Sequence, residues 1–236
     1  YLEDSMKSRK RRALVPRTDI VGSVHTLAGL RRAARLRPGQ GVDVIEVRLD
    51  WLADEARKLP GLLRSIRLPL LLTARHPREG GNGCLSLAAR RQLLETFLPL
   101  ARMVDIELRS AGSFRDLLGA ARKMRVKVVL SSHHFYRAPT QARLVGVERQ
   151  AWLLGADICK IAVHIKNAAE LARLLVLQSG ARRPLATMGM GPLGKVSRLV
   201  LPLAGSRLVY GYIDRPQVPG QWPAIGLRER LQEVTL

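Results

Sequence analysis

The stretch KVVLSSHHFYRAPTQARLVGVERQAWLLGADICKIAV, residues 127–163, decides the fold. It opens on an apolar, β-branched run, Lys127–Phe135, and closes on a second one, Asp157–Val163. Between them, Ala138–Leu154 spaces its apolar residues as a helix does, and Thr140 stands where a cap belongs. Strand, helix and strand with no hairpin turn form a crossover unit, which joins parallel strands.

The same alternation runs outward in both directions. Further β-like runs are Ile20–Thr26, Val42–Asp50, Leu68–Arg75, Met103–Leu108, Arg183–Met190 and Ser206–Ile213. Stretches with helical spacing separate them, such as Leu85–Leu100, for which Ser86 is a reasonable helix start. Eight strand–helix units without a linker or composition break predict a single-domain α/β protein, a (β/α)8 TIM barrel over residues 18–236. A doubly wound open sheet is the alternative.

The 236-residue length suits one such barrel, and 47% hydrophobic with 25% charged residues describes a globular chain. No window approaches the length of uninterrupted apolar sequence that a membrane helix needs, so no membrane partner is expected. The opening YLEDSMKSRKRR lacks the apolar centre of a signal peptide. Two cysteines, Cys84 and Cys159, do not make a disulfide scaffold and suit a reducing cytoplasm. Residues 1–17 read as a basic, flexible segment ahead of the barrel.

The net charge is +21. It raises nucleic acid as a partner, but the basic residues are scattered in pairs such as Arg31-Arg32 and Arg182-Arg183. Aromatics, at 4%, form no stacking platform among them. Nucleic acid is therefore not expected, whereas a small anionic substrate is. Of the 40 basic residues 32 are Arg, which cannot act as an amine nucleophile, so Schiff-base chemistry has eight candidate lysines.

A barrel places its catalytic groups at the C-terminal ends of the strands. Polar residues fall there: Glu46, Arg48, Arg75, Glu107, Ser131, Ser132, His133, His134 and Lys160. Lys160 sits in the apolar strand DICKIAV. Facing inward, its amine would be desolvated and free to attack a carbonyl; facing the mouth, its head would reach water. His133 ends strand 5, where it either moves protons or fills an ordinary hydrogen-bonding position, and Glu79 in the loop after strand 3 could orient it. MGMGPLGK (Met188–Lys195) matches a dinucleotide or P-loop pattern only superficially, because the helix after it would be very short and Val196 replaces the magnesium-binding hydroxyl. A glycine-rich loop closing over an anion at the barrel mouth explains it better. The five histidines and two cysteines have no metal-ligand spacing, so no metal is expected.

In this order the motifs resemble type I 3-dehydroquinate dehydratase. The matching segments are EVRLD (Glu46–Asp50), TARHPREGG (Thr73–Gly81), VDIEL (Val104–Leu108), SSHHF (Ser131–Phe135), DICKIAV (Asp157–Val163), TMGMGPLGKVSR (Thr187–Arg198) and VPGQ (Val218–Gln221). They run in register over nearly the whole chain. The resemblance implies a commonly dimeric (β/α)8 barrel in the cytoplasm, without metal or organic cofactor, acting on the anionic substrate 3-dehydroquinate in the shikimate pathway. It implies that Lys160 forms an imine with the substrate ketone, that His133 moves the protons and that Glu79 partners His133. Glu46, Arg48 and Arg75 would hold ring hydroxyls and the charge network, Arg198 and Gln221 the substrate carboxylate, and Ser23, Met188, Met190 and Tyr210 would line the pocket. Two positions depart from the family pattern: His134 stands where an Asp is usual, and Gln217 where a small residue, often Ser, is usual. The first would alter the surroundings of His133. The second removes a hydroxyl from the carboxylate site, so that either Gln217 substitutes for it or the loop binds less tightly. Another Schiff-base lyase or aldolase, and an inactive barrel binding RNA, are the competing readings.

Overall fold

The computed structural model describes residues 18–234, so the basic segment expected over 1–17 lies outside the described residues. Eight parallel strands lie in the order β7-β6-β5-β4-β3-β2-β1-β8. They are β1 (Asp19–Val24), β2 (Val44–Arg48), β3 (Leu70–Thr73), β4 (Met103–Glu107), β5 (Lys127–His134), β6 (Ile158–His164), β7 (Leu185–Met190) and β8 (Leu208–Tyr212). The β7–β8 seam closes the barrel with fewer bonds than the others. Arg207 N–H donates to Leu185 O at 2.8 Å, and Ser206 Oγ accepts from Thr187 N at 3.1 Å. The (β/α)8 architecture expected from the alternation is the one observed.

The helices between the strands are α1 (Leu27–Ala33), α2 (Leu59–Ser65), α3 (Leu87–Phe97), α4 (Arg115–Lys123), α5 (Gln141–Leu153), α6 (Ala168–Gly180) and α7 (Gly194–Leu203), with α8 (Leu227–Glu233) after β8. Side-chain oxygens cap several of them, Ser86 and Thr140 as the sequence indicated and Thr26 in addition. Ser86 Oγ accepts from Ala89 N at 3.1 Å, Thr140 Oγ1 from Arg143 N at 3.4 Å, and Thr26 Oγ1 from Gly29 N at 2.9 Å. The helix after the glycine-rich segment is not very short, as expected from sequence, but ten residues long and with Pro202 near its end. The glycines give it room. A Cβ on Gly194 would lie 3.1 Å from the Gly220 Cα, so the two backbones approach as only glycine allows.

Strand residues alternate between two apolar layers. Val21, Val44, Leu71, Met103, Val129, Ile158, Ala162 and Leu208 fill the barrel, while Ile20, Ile45, Leu72, Val104, Val128, Cys159 and Val209 lie under the helices. Burial on both sides explains why the strands read as continuous apolar runs, and why an inward charge stands out in them.

Candidate active site

The alternation that packs the barrel also aims its polar residues. On β6, Ile158 and Ala162 face inward, so Lys160 does too, and it is only 4% exposed. On β4, Met103 faces inward, so Asp105 shares its face. Lys160 Nζ donates to Asp105 Oδ2 at 2.9 Å, lies 4.0 Å from Glu46 Oε1 and stands 4.2 Å above the Tyr210 ring. The lysine is thus inside the barrel, not snorkelling to water.

Asp105 is the centre of a buried charge network. Arg75 grips it through both terminal nitrogens at 2.8 Å and also donates to Glu107 Oε1 at 3.2 Å and Ser131 Oγ at 2.7 Å. Burial pushes the Asp105 carboxyl up, but Arg75 and Lys160 outweigh it and hold the group well below the usual carboxylate range. Burial likewise opposes the Arg75 charge, while Asp105 and Glu107 stabilise it. Glu107 is shared with Arg90 of α3, whose Nε donates to Ala74 O at 2.8 Å. Glu46 accepts from Ser23 Oγ and from Thr73 Oγ1, the latter at 3.0 Å.

His133, also inward on β5, meets Glu79 from the short helical turn Pro77–Glu79. Glu79 Oε2 lies 2.9 Å from His133 Nδ1 and accepts the His133 backbone N–H at 3.0 Å. Burial pushes the Glu79 carboxyl up to about 7, with help from the Glu107 charge and in spite of Arg75. Burial, Arg75 and Lys160 hold the His133 imidazole well below its ordinary value. Both shifts disfavour charge, so near neutrality the imidazole is neutral and the Glu79 carboxyl is partly protonated. The backbone bond and the Nδ1 contact converge on one carboxylate oxygen, which fixes the proton on Nδ1 and leaves the Nε2 lone pair for a substrate.

Arg48 spans two loops. It pairs with Asp50 through Nε at 3.0 Å and Nη2 at 2.8 Å, donates from Nη2 to Gly80 O at 2.9 Å, and from Nη1 to Gln217 Oε1 at 2.5 Å. Arg198, 1% exposed, donates from Nη1 to the carbonyls of Gly189 (2.8 Å), Gly194 (2.9 Å) and Gly220 (2.6 Å), and from Nε to Tyr210 O at 3.0 Å. Burial pushes its guanidinium down to about 10. The glycine-rich segment therefore turns these carbonyls toward an arginine. The remaining nitrogen, Nη2, has no hydrogen-bond partner among the described residues. Gln221 Oε1 accepts from Gln217 N at 2.7 Å and folds the loop after β8 on itself.

Most of the residues singled out from sequence line one cavity at the C-terminal end of the barrel, though Glu107, Ser131, Ser132 and His134 do not. It joins Lys160, His133 and Glu79 to Ser23, Glu46, Arg48, Arg75, Met188, Met190, Arg198, Tyr210, Gln217 and Gln221. Ser132 and His134 fall on the opposite face of β5, bonded to each other at 3.1 Å, so His134 does not line the cavity. Asp105, Asp50 and Arg90 were missed. Asp105 had a signal: the alternating M-V-D-I-E pattern puts it and Glu107 on one strand face. Among the described residues no group of three or more His, Cys, Asp and Glu is arranged to hold a metal ion.

The Type I 3-dehydroquinase family model matches residues 22–235. The chain is 36% identical over 206 residues to 3-dehydroquinate dehydratase of Methanocella arvoryzae, covering 86% of this chain and 90% of the relative. It is 34% identical over 228 residues to the Klebsiella pneumoniae enzyme of the same name, covering 89% and 86%. The crystal structure of 3-dehydroquinate dehydratase from Geobacillus kaustophilus superposes with a TM-score of 0.83 at 29% identity, covering 93% of this chain and 91% of that one. A type I enzyme from Clostridium difficile, carrying covalently modified comenic acid, gives 0.82 at 26% identity, covering 93% of each chain.

Proposed function

Since the chain belongs to the type I 3-dehydroquinase family, we propose that it is a hydro-lyase that converts 3-dehydroquinate to 3-dehydroshikimate and water through an imine on Lys160. The observation that carries this reading is the Lys160 amine, buried in the barrel cavity beside a His133–Glu79 couple whose free nitrogen is Nε2. No other lysine lines that cavity among the described residues.

The steps follow from these positions. The deprotonated amine adds to the substrate's C3 carbonyl, and loss of water gives the imine, whose protonated form draws electrons from C2. His133 Nε2 takes the C2 proton, and Glu79 supports the charge that develops on the ring. The resulting enamine expels the C1 hydroxyl, which leaves as water with the proton carried by His133. Water then hydrolyses the imine and frees the product and Lys160. The cationic cluster of Arg48, Arg75 and Arg198 draws in the anionic substrate. The Arg198 Nη2 and the Gln221 amide meet its carboxylate, with Glu46 and Arg48 at the ring hydroxyls. Glycine-loop carbonyls hold Arg198 so that little rotamer freedom is lost on binding.

On the same reading the enzyme serves the shikimate pathway to aromatic amino acids, works in the cytoplasm and pairs as a homodimer. The test is a turnover assay of the purified protein with 3-dehydroquinate, followed by the absorbance of the conjugated product. Turnover that disappears in Lys160→Ala supports the proposal. No turnover, or full turnover in that variant, contradicts it. Turnover of a different carbonyl substrate alone would point to another Schiff-base lyase.

A further inference from the structure

The loop after β8 leaves the barrel at Ile213 and returns at Trp222, its base closed by Tyr212 N–H to Trp222 O at 3.0 Å and Ala224 N–H to Tyr212 O at 2.9 Å. Its second half is held by Arg198 at Gly220 O. Its first half meets one buried side chain that the reaction does not use, His25, at the C-terminal end of β1. Arg215 Nε–H donates to His25 Nε2 at 2.9 Å, the Gln217 amide nitrogen lies 3.1 Å from His25 Nδ1, and Asp214 Oδ1 lies 3.3 Å from the same Nδ1. Trp51 closes the fourth side edge-on, 5.1 Å between centroids. Asp214 is itself fixed, accepting from Thr26 Oγ1 at 2.7 Å, and a Cβ on Gly29 of α1 would meet its Oδ2 at 2.6 Å.

We infer that His25 is a positioning residue: its neutral ring accepts from Arg215 and packs against the Gln217 amide, and so holds the loop closed over the substrate cavity, and acid releases the clasp. Arg215 and the Gln217 amide both present N–H groups, because the other end of that amide accepts from Arg48 Nη1. A neutral imidazole with its proton on Nδ1, facing Asp214 Oδ1, offers the Nε2 lone pair to Arg215, whereas a protonated ring offers no lone pair to either donor. Asp214 and Asp50 favour the proton and Arg215 and Arg48 oppose it; with burial, the balance lowers the His25 pKa. An opened loop returns the ring to water and its ordinary value, so protonation favours opening. The clasp reaches the chemistry because Gln217 and Gln221 line the cavity and Arg48 ties Gln217 to the Gly80 loop that carries Glu79.

The inference rests on the dehydratase reading only for what the closed loop covers, so its test does not require turnover. Hydrogen exchange of the backbone amides of residues 213–222 is measured at pH 7.5 and 5.5, corrected for intrinsic rates, in the wild type, His25→Phe and His25→Gln. The wild type is expected to exchange about tenfold faster at pH 5.5, His25→Phe fast at both pH values, and His25→Gln, which keeps an acceptor that does not titrate, slow at both. Wild-type exchange that ignores pH, or slow exchange in His25→Phe at pH 7.5, overturns the clasp. If His25→Phe does not fold, the wild-type comparison and His25→Gln decide. The expected pattern in a protein without 3-dehydroquinate turnover would leave the clasp standing and remove the proposed function; turnover with unchanged exchange would remove the clasp alone.

Discussion

Lys160 Nζ and Asp105 Oδ2 lie 2.9 Å apart inside the barrel, and the same carboxylate also takes two bonds from Arg75. One acidic group therefore positions the proposed nucleophile and neutralises the guanidinium beside it. Replacing Asp105 by Asn would leave two buried cations sharing Glu46 and Glu107. We expect a loss of about 3 kcal/mol and a fall in Tm of roughly 6–12 °C. A thermal melt of Asp105→Asn checks this, and an unchanged Tm would show that the network does not depend on Asp105.

On the proposed mechanism the Glu79–His133 couple sets the pH dependence. With Glu79 raised to about 7, kcat/KM should climb as pH rises through about 7, and Glu79→Gln should be slow and lack that limb. A profile of the wild type that is flat between pH 6 and 8 would contradict the assignment.

The same shift makes a statement about stability. Glu79 ionises in the unfolded chain near its ordinary value of 4.5 but in the fold only at about 7, so the fold loses stability as pH rises across that window. The neutral Gln variant escapes this loss. At pH 8 Glu79→Gln should be more stable than the wild type by about 2–3 kcal/mol, with the gap gone below pH 4.5. Denaturant titrations at the two pH values measure the difference.

On the proposed function Arg198 serves two ends, since it already carries the carbonyls of three glycines and of Tyr210. Arg198→Lys cannot fork to all four. It should raise KM at least about tenfold and also cost about 2–3 kcal/mol of stability. A raised KM at unchanged stability would mean that the carbonyl contacts are incidental.

Tyr210 separates ring from hydroxyl. Its hydroxyl is buried with no hydrogen-bond partner among the described residues, while its ring lies under the Lys160 ammonium. Tyr210→Phe should therefore be neutral or up to about 1 kcal/mol stabilising, whereas Tyr210→Leu, which removes the cation–π contact and leaves a smaller side chain, should be destabilising. Chemical denaturation of both variants distinguishes the two contributions.

The barrel was legible because burial on both faces of each strand writes a continuous apolar run that capped helices interrupt. Strand ends were less legible: Val42–Asp50 read as one strand, but only Val44–Arg48 is paired, since Asp50 bends away to hold Arg48. The cavity residues were legible as polar groups at strand ends together with a family likeness. What sequence could not give was the allocation of partners. Arg48 and Arg75 read as substrate-facing, yet much of their hydrogen bonding is taken up by Asp50, Gln217, Asp105 and Glu107, which come together only once the sheet closes. His25 was passed over because its partners lie about 190 positions away. His134 looked consequential by adjacency, but adjacent strand residues face opposite sides.

The central claim is that Lys160 forms a covalent imine with the substrate. Borohydride reduction in the presence of 3-dehydroquinate, followed by peptide mass spectrometry, tests it most directly. The account predicts a stable adduct on the peptide containing Lys160 and none in Lys160→Ala. Turnover that continues unaffected by borohydride, with Lys160 unmodified, would contradict it.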